Sequence, residues 1–240
     1  MVDGSWSIGS ENFKQIRQFL YTLVNSFDVD PEHVRIGLVQ YSTTPRTEFK
    51  LNTFQDKKDI LQYINILPYM GGGTQTGLGL DYMLTEHFVE AAGSRGQNVP
   101  QIAVVITDGK SQDNVESHAQ DLKRKGIVLY AIGIKDADEE QLKEIANEPH
   151  SQHVYSVSNF AALQGISESI AQTLCTTVEE VKRQLLQLTQ GKMCQAAQLV
   201  VVTSCIINGR AKYYDCWLPK VFLFLQKCKP KSLKCQEKSP

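Results

Sequence analysis

The sequence predicts a doubly wound α/β domain, a mostly parallel sheet with helices on both faces. Two observations carry that expectation. "QIAVVITDG" (101–109) and "GIVLYAIGI" (126–134) are nearly unbroken apolar runs of strand length, the pattern of strands buried on both faces. Segments with apolar residues three and four apart alternate with the strand-like runs along the chain, as crossover helices do. The length of 240 residues, with 42% hydrophobic and 21% charged content, gives room for one sizeable α/β domain plus something small.

The elements follow in order. "SENFKQIRQFLYTLVNSF" places Phe13, Ile16, Leu20, Leu23 and Phe27 on one helical face, with Ser10 as N-cap candidate and Asp30-Pro31 as the stop. "VRIGLVQYS" and the shorter "TEFKL" read as strands because they are rich in apolar and β-branched residues between turn formers. "DKKDILQYINIL" is helical, with Ile60, Ile64 and Leu67 on one side and Pro68 ending it. "GGGTQTGLGLDYMLTEHF" is a glycine-rich loop running into a helix. The buried run to Asp108-Gly109 is followed by a helix over Val115 to Lys125 and by the second buried run. A helix, the strand "HVYSV" and the helix "FAALQGISESIAQTL" complete the body. In such a sheet the loop carrying Asp3 follows a central strand, and here only Met1 and Val2 stand before it. The first central strand is therefore expected to be largely missing, the chain N-terminally truncated and poorly stable by itself. The run "LVVVTSCII" (Leu199 to Ile207) is the internal candidate to fill the gap.

Charge and cysteines divide the chain. From Gly191 onward nine Lys/Arg face two acids, Asp215 and Glu237, which leaves 16 basic and 24 acidic residues in the first 190 positions. All six cysteines (Cys175, Cys194, Cys205, Cys216, Cys228, Cys235) lie in the last third. None forms a C-x-x-C pair, which disfavours zinc and favours an oxidising compartment. The expected organisation is a body over residues 1–176, an amphipathic helical linker over 177–190 with Val178, Val181, Leu185 and Leu188 on one seam, and a basic Cys-bearing tail of unknown fold over 191–240. No apolar run approaches the roughly 20 residues of a membrane helix. No signal peptide precedes the first loop. The lysines of the tail lack the interleaved aromatics of a nucleic-acid surface, so no nucleic-acid partner is expected.

One stretch raises a chemical question. "VDGSWSIG" (2–9) sets Asp3, Ser5 and Ser7 at alternate positions on a glycine-bearing loop. In open α/β sheets ligands bind beyond the carboxyl ends of the strands, where this loop, "GGGTQTG" and Asp108 converge. Two carboxylates with several hydroxyls form a hard-oxygen set suited to Mg²⁺, Mn²⁺ or Ca²⁺. Few charges around the ion leave it electron-poor and able to recruit an acidic group from a partner. Trp6, inside the loop, reads equally as an exposed contact or as a plug over the metal. His150 and His153 in "PHSQH" sit in a loop without a third ligand and read as surface residues.

"VDGSWSIG", "GGGTQTG" and "VVITDGKSQD", in that order and on those elements, resemble the three parts of the metal-ion-dependent adhesion site (MIDAS) of a von Willebrand factor type A domain. "VRIGLVQYS", "PRTEF" and "AIGIKDADEEQLKEIA" are most similar to the A domains of fibril-associated collagens such as types XII and XIV. The resemblance covers about Asp3 to Thr176 and lacks the family's first strand apart from Val2. It implies Asp3, Ser5 and Ser7 as metal ligands on the first loop, Thr74, in preference to Thr76, on the second, and Asp108 on the third. It also implies that Cys175 matches a cysteine that members pair with one ahead of the first strand, a partner missing here.

The function the resemblance implies is a secreted extracellular-matrix module that adheres to matrix proteins through a divalent cation, the partner supplying an acidic group. The alternatives are a metal-free structural A domain, a non-functional fragment, or an α/β enzyme. The enzyme reading is disfavoured because G-x-S-x-G fails around Ser7, with Ser5 where the first glycine belongs, and no G-x-x-x-x-G-K-S/T or G-x-G-x-x-G is complete.

Overall fold

The computed structural model describes residues 1–206, without side chains at 98 and 188–206. Six strands form one sheet: β1 (Val2–Asp3), β2 (Leu38–Tyr41), β3 (Pro45–Phe49), β4 (Gln101–Thr107), β5 (Ile127–Ile134) and β6 (Val154–Val157), in the order β3-β2-β1-β4-β5-β6. All neighbours are parallel except β3, which is antiparallel to β2 at one edge. Seven α-helices accompany them: α1 (Ser10–Asn25), α2 (Lys57–Asn65), α3 (Thr76–Tyr82), α4 (Glu116–Arg124), α5 (Glu139–Ile145), α6 (His150–His153) and α7 (Leu163–Ile206). A π-helical turn, Met83–His87, continues α3.

Strand alternation sorts the core into two layers. Ile106 on β4 and Tyr130, Ile132 and Ile134 on β5 pack with Phe13, Ile16 and Leu20 of α1, Ile60 and Ile64 of α2 and Leu174 of α7. Ala103, Val105, Leu129 and Ala131 point the other way, onto Leu80, Leu122, Leu142 and Ile145 of α3, α4 and α5. The period of two in the strands and of three to four in the helices thus builds the doubly wound architecture that the apolar runs predict.

The central strand has only two residues, yet it is paired on both sides: Val2 with Gln40, Asp3 with Tyr41, and Val2 with Ile106. The Met1 nitrogen donates to the Val104 carbonyl (2.7 Å) and the Ile106 N–H to the Met1 carbonyl (3.0 Å). Before Val104, β4 has no strand on its β1 side among the described residues. A cavity of about 460 Å³ lies there, bounded by Leu38, Ile102, Val104, Leu174, Cys175 and Val178 among others. The tail run expected as its filler is helical from Leu199 to Ile206, within α7. α7 runs unbroken through positions 176 and 177. The tail beyond Ile206, with Cys216, Cys228 and Cys235, lies outside the described residues, as do the side chains of Cys194 and Cys205.

Three local expectations are corrected. Ser10 is the first helical residue rather than the cap; Gly9, at φ 72°, holds the N-cap position of α1 with no side-chain bond. "PHSQH" is a short helix, α6, not a loop. His153 is buried, its Nδ1 within 3.0 Å of the Pro149 carbonyl and its ring 4.6 Å from that of Tyr130. An apolar pocket against Tyr130, invisible in a histidine-and-proline segment, takes it out of solvent.

Candidate metal centre

Three loops meet at the carboxyl edge of the sheet where strand order reverses: two follow β1 and β4, and one connects α2 to α3. The first follows β1 and carries Asp3, Ser5 and Ser7. Asp3 is fully buried: its Oδ1 accepts the Ser5 backbone N–H (2.8 Å) and its Oδ2 the Thr107 hydroxyl (2.8 Å). The Ser5 and Ser7 hydroxyls are 2.9 Å apart, and Ser7 donates to Asp108 Oδ1 at 2.7 Å. Four of the five residues that the sequence singles out are thus joined in one hydrogen-bonded cluster. Asp3 enters it at the end of β1 and Asp108 just past the end of β4, 105 positions further along the chain.

The second loop carries Thr74. The Gly71 N–H donates to the Gly4 carbonyl (2.7 Å) and Trp6 N–H to the Gly72 carbonyl (2.9 Å), stitching it to the first loop. The Gln112 N–H donates to the Thr74 carbonyl (2.7 Å), stitching it to the third. Thr74 is nearly buried. Thr76 is turned inward instead, its hydroxyl donating to Tyr41 (3.1 Å) and its N–H to Ser111 Oγ (2.9 Å). This commitment of Thr76 favours Thr74 as the ligand position on the loop.

Supporting residues complete the frame, and none of them stands out in the sequence. Asp113 accepts the Gly77 and Leu78 N–H groups (2.8 and 2.7 Å) and the Ser111 hydroxyl (2.5 Å), capping α3 from the third loop. Buried Gln40 donates to Glu48 and to the Pro68 carbonyl and accepts the Met70 N–H, fixing the start of the second loop. The Tyr69 hydroxyl donates to the Ser5 carbonyl (2.7 Å). "SQD" within the third loop and the lone glutamine within β2 are the sequence cues to them, and a polar residue in a predicted buried strand is the stronger cue.

Electrostatics fit a cation. Burial lifts the Asp3 carboxyl to about 6, against the pull of the Ser5 and Thr107 hydrogen bonds. Asp108 is raised too, first by burial and against the bond from Ser7. Two carboxyls made reluctant to ionise by burial, beside neutral hydroxyls, are the groups that a hard divalent ion relieves. Lys110 and Lys135 on nearby loops are each paired with an acid, Asp138 and Asp136, both at 2.9 Å.

The order of the sheet and the three stitched loops at its switch point define a doubly wound domain with a hard-oxygen site at its carboxyl edge. Residues 1–169 match the family model of the von Willebrand factor type A domain. The chain belongs to that family. It is 42% identical over 179 residues to the collagen alpha-1(XII) chain of Notophthalmus viridescens, covering 75% of this chain and 19% of that one. Against mouse matrilin-2 it is 39% identical over 182 residues, again 75% and 19% of the two chains. The chain thus spans about a fifth of the length of these relatives. Among solved structures, proximal thread matrix protein 1 from the mussel byssus superposes with a TM-score of 0.68 at 30% identity, covering 72% of this chain and 47% of that one. A further structure of that protein has a zinc-occupied MIDAS motif, with the same TM-score of 0.68 at 29% identity. These relatives are extracellular-matrix proteins, in keeping with the extracellular setting expected from the sequence. No helix among the described residues is long and apolar enough to cross a membrane.

Proposed function

We propose that this chain is a non-enzymatic adhesion module of the extracellular matrix that binds protein partners through a divalent cation held by Asp3, Ser5, Ser7, Thr74 and Asp108. The observation that carries the reading is the cluster itself. Asp3, Ser5, Ser7 and Asp108 lie in one chain of short hydrogen bonds on loops tied pairwise by backbone bonds. A site ordered before its ion arrives loses little conformational entropy on binding it. The donors are all oxygen, which fits Mg²⁺, Mn²⁺ or Ca²⁺. With only two carboxylates the bound ion keeps net positive charge, which is what attracts an acidic group from the partner.

The Ser7 hydroxyl donates to a carboxylate and Ser5 pairs with Ser7, an arrangement that orients oxygens toward a shared ion, and no histidine stands in this hydrogen-bonded cluster to form a serine–histidine pair. Collagen and matrilin relatives support matrix proteins as the partner class. Two measurements test the proposal together. Calorimetric titration with Mg²⁺ and Mn²⁺ should give one site per chain. Capture of the chain on immobilised fibrillar matrix should be lost in EDTA and restored by excess Mg²⁺; capture that ignores the chelator would refute the cation-dependent reading.

A further inference from the structure

We infer that Trp6 is the specificity contact of this site, receiving an apolar side chain that the partner carries within two residues of the carboxylate it presents to the ion. The inference rests on the cation-dependent reading above and adds the chemistry of the partner beside its acid.

The indole is 78% exposed, although Asp3 and Ser5 in the same loop are buried. A plug over the Asp3–Asp108 cluster would be covered by what it covers; this ring is open to solvent. The loop that carries it is nonetheless held in place: the Trp6 backbone N–H donates to the Gly72 carbonyl, and the Gly71 N–H to the Gly4 carbonyl. The ring lies against Gly71, where a Cβ would fall 2.3 Å from the indole nitrogen. Gly71 and Gly72 take φ of 75° and 118°, so the floor beneath the ring is a glycine turn that side chains rarely adopt. An exposed aromatic ring that is already ordered binds at small entropic cost, and tryptophan is the residue type most enriched at energetic centres of interfaces.

Its place defines what it meets. Trp6 sits between two of the ligand positions, one residue from Ser5 and one from Ser7. An extended partner advances about 3.3 Å per residue, so a side chain within two positions of the metal-bound acid reaches the ring. The indole lies against the glycine backbone at Gly71, and its large apolar face suits an apolar visitor. The carboxylates of the site, Asp3 and Asp108, are buried beneath.

The test is a random peptide library displayed on phage, panned on the immobilised full chain in Mg²⁺ and eluted with EDTA. The eluted pool should pair Asp or Glu with an aliphatic, aromatic or proline residue within two positions. Panning on Trp6→Ala should keep the acid and lose the neighbour. Peptides selected on the parent chain should bind Trp6→Ala roughly 10- to 30-fold more weakly, and Trp6→Phe should restore most of the loss. Calorimetry should find Mg²⁺ affinity in Trp6→Ala within about threefold of the parent, separating lost contact from a damaged metal site. The same neighbour residues in both pools, or unchanged affinity for Trp6→Ala, overturn the role of Trp6 and leave the cation reading standing. A pool without enriched acids overturns both.

Discussion

Replacing Asp108 by asparagine separates the two demands on this site, holding an ion and holding itself together. The substitution keeps the shape and keeps an Oδ1 to accept the Ser7 hydroxyl, now at 2.7 Å, while removing one of two carboxylates. For charges a few ångströms apart at an effective dielectric of about 20, one unit pair contributes about 4 kcal/mol, or roughly a thousandfold in Kd. The protein without metal should respond in the opposite direction. Asp3 is already reluctant to ionise, mainly through burial, and the charge of Asp108 adds to that reluctance. Removing the like charge eases Asp3, so metal-free Asp108→Asn should be as stable as the parent or slightly more so. The assay is paired: Mg²⁺ and Mn²⁺ calorimetry, and thermal melts in EDTA and in excess Mg²⁺. The expected outcome is metal affinity lost, an EDTA melting temperature equal to or above the parent's, and no upward shift with Mg²⁺. Affinity within about threefold of the parent, or a melting temperature that collapses in EDTA, would refute the assignment of Asp108 as a ligand.

Thr74→Ala should weaken Mg²⁺ binding with little change in stability, whereas Thr76→Ala should spare metal affinity and cost about 0.5–1.5 kcal/mol, because it removes one of the hydrogen bonds of the buried Tyr41 hydroxyl and leaves the one to Thr107; the reverse pattern would reassign the second loop. Gly77→Ala places a Cβ 1.9 Å from the Asn114 backbone oxygen, which cannot retreat as a flexible side-chain end would, so urea denaturation should show a loss of about 1–3 kcal/mol together with reduced Mg²⁺ affinity. His87 is buried, its Nε2 2.9 Å from the Thr47 hydroxyl, and burial pushes it down to about 4 from 6.5. The folded state therefore holds it neutral: its contribution is intact above pH 6.5 and is lost as pH falls from 6.5 through about 4. The difference in urea midpoint between the parent and His87→Gln should narrow across that window and stay level above it.

The fold was largely legible because its signal is periodic. β4 and β5 fall within two residues of their apolar runs, and α1, α2 and α4 fall on their expected helical segments. Where the reading overshot, tertiary geometry intervened. "VRIGLVQYS" yields a strand only at Leu38–Tyr41, since Val34 turns aside to bridge Val29. α3 passes into a π-helical turn, Met83–His87, that seats His87 beside Thr47 and Tyr82; no composition marks that change of pitch. In the site, Asp3, Ser5, Ser7 and Asp108 were legible from spacing at strand ends, because loops at a switch point converge wherever they stand in the chain. Gln40, Asp113 and Tyr69 were not, because their work is to satisfy backbone groups of other loops, a pairing that exists only once the chain is folded.

The brevity of β1 has a consequence for the order of events in folding. Among the described residues, the two-residue strand β1 joins the β2–β3 half of the sheet to the β4–β5–β6 half. Its link to β4 spans more than a hundred positions, as the 104-residue separation of Asp3 and Thr107 measures. Contacts of such separation form late, after local helices and hairpins have formed. The loop of the proposed ligands begins at the residue that closes this seam, so the Asp3–Asp108 cluster comes into being only when the two halves have met. On the proposed reading a partly folded chain offers a cation no place to rest, and added Mg²⁺ is expected to leave the folding rate unchanged and to slow unfolding, a latch on a completed sheet rather than a template for building one.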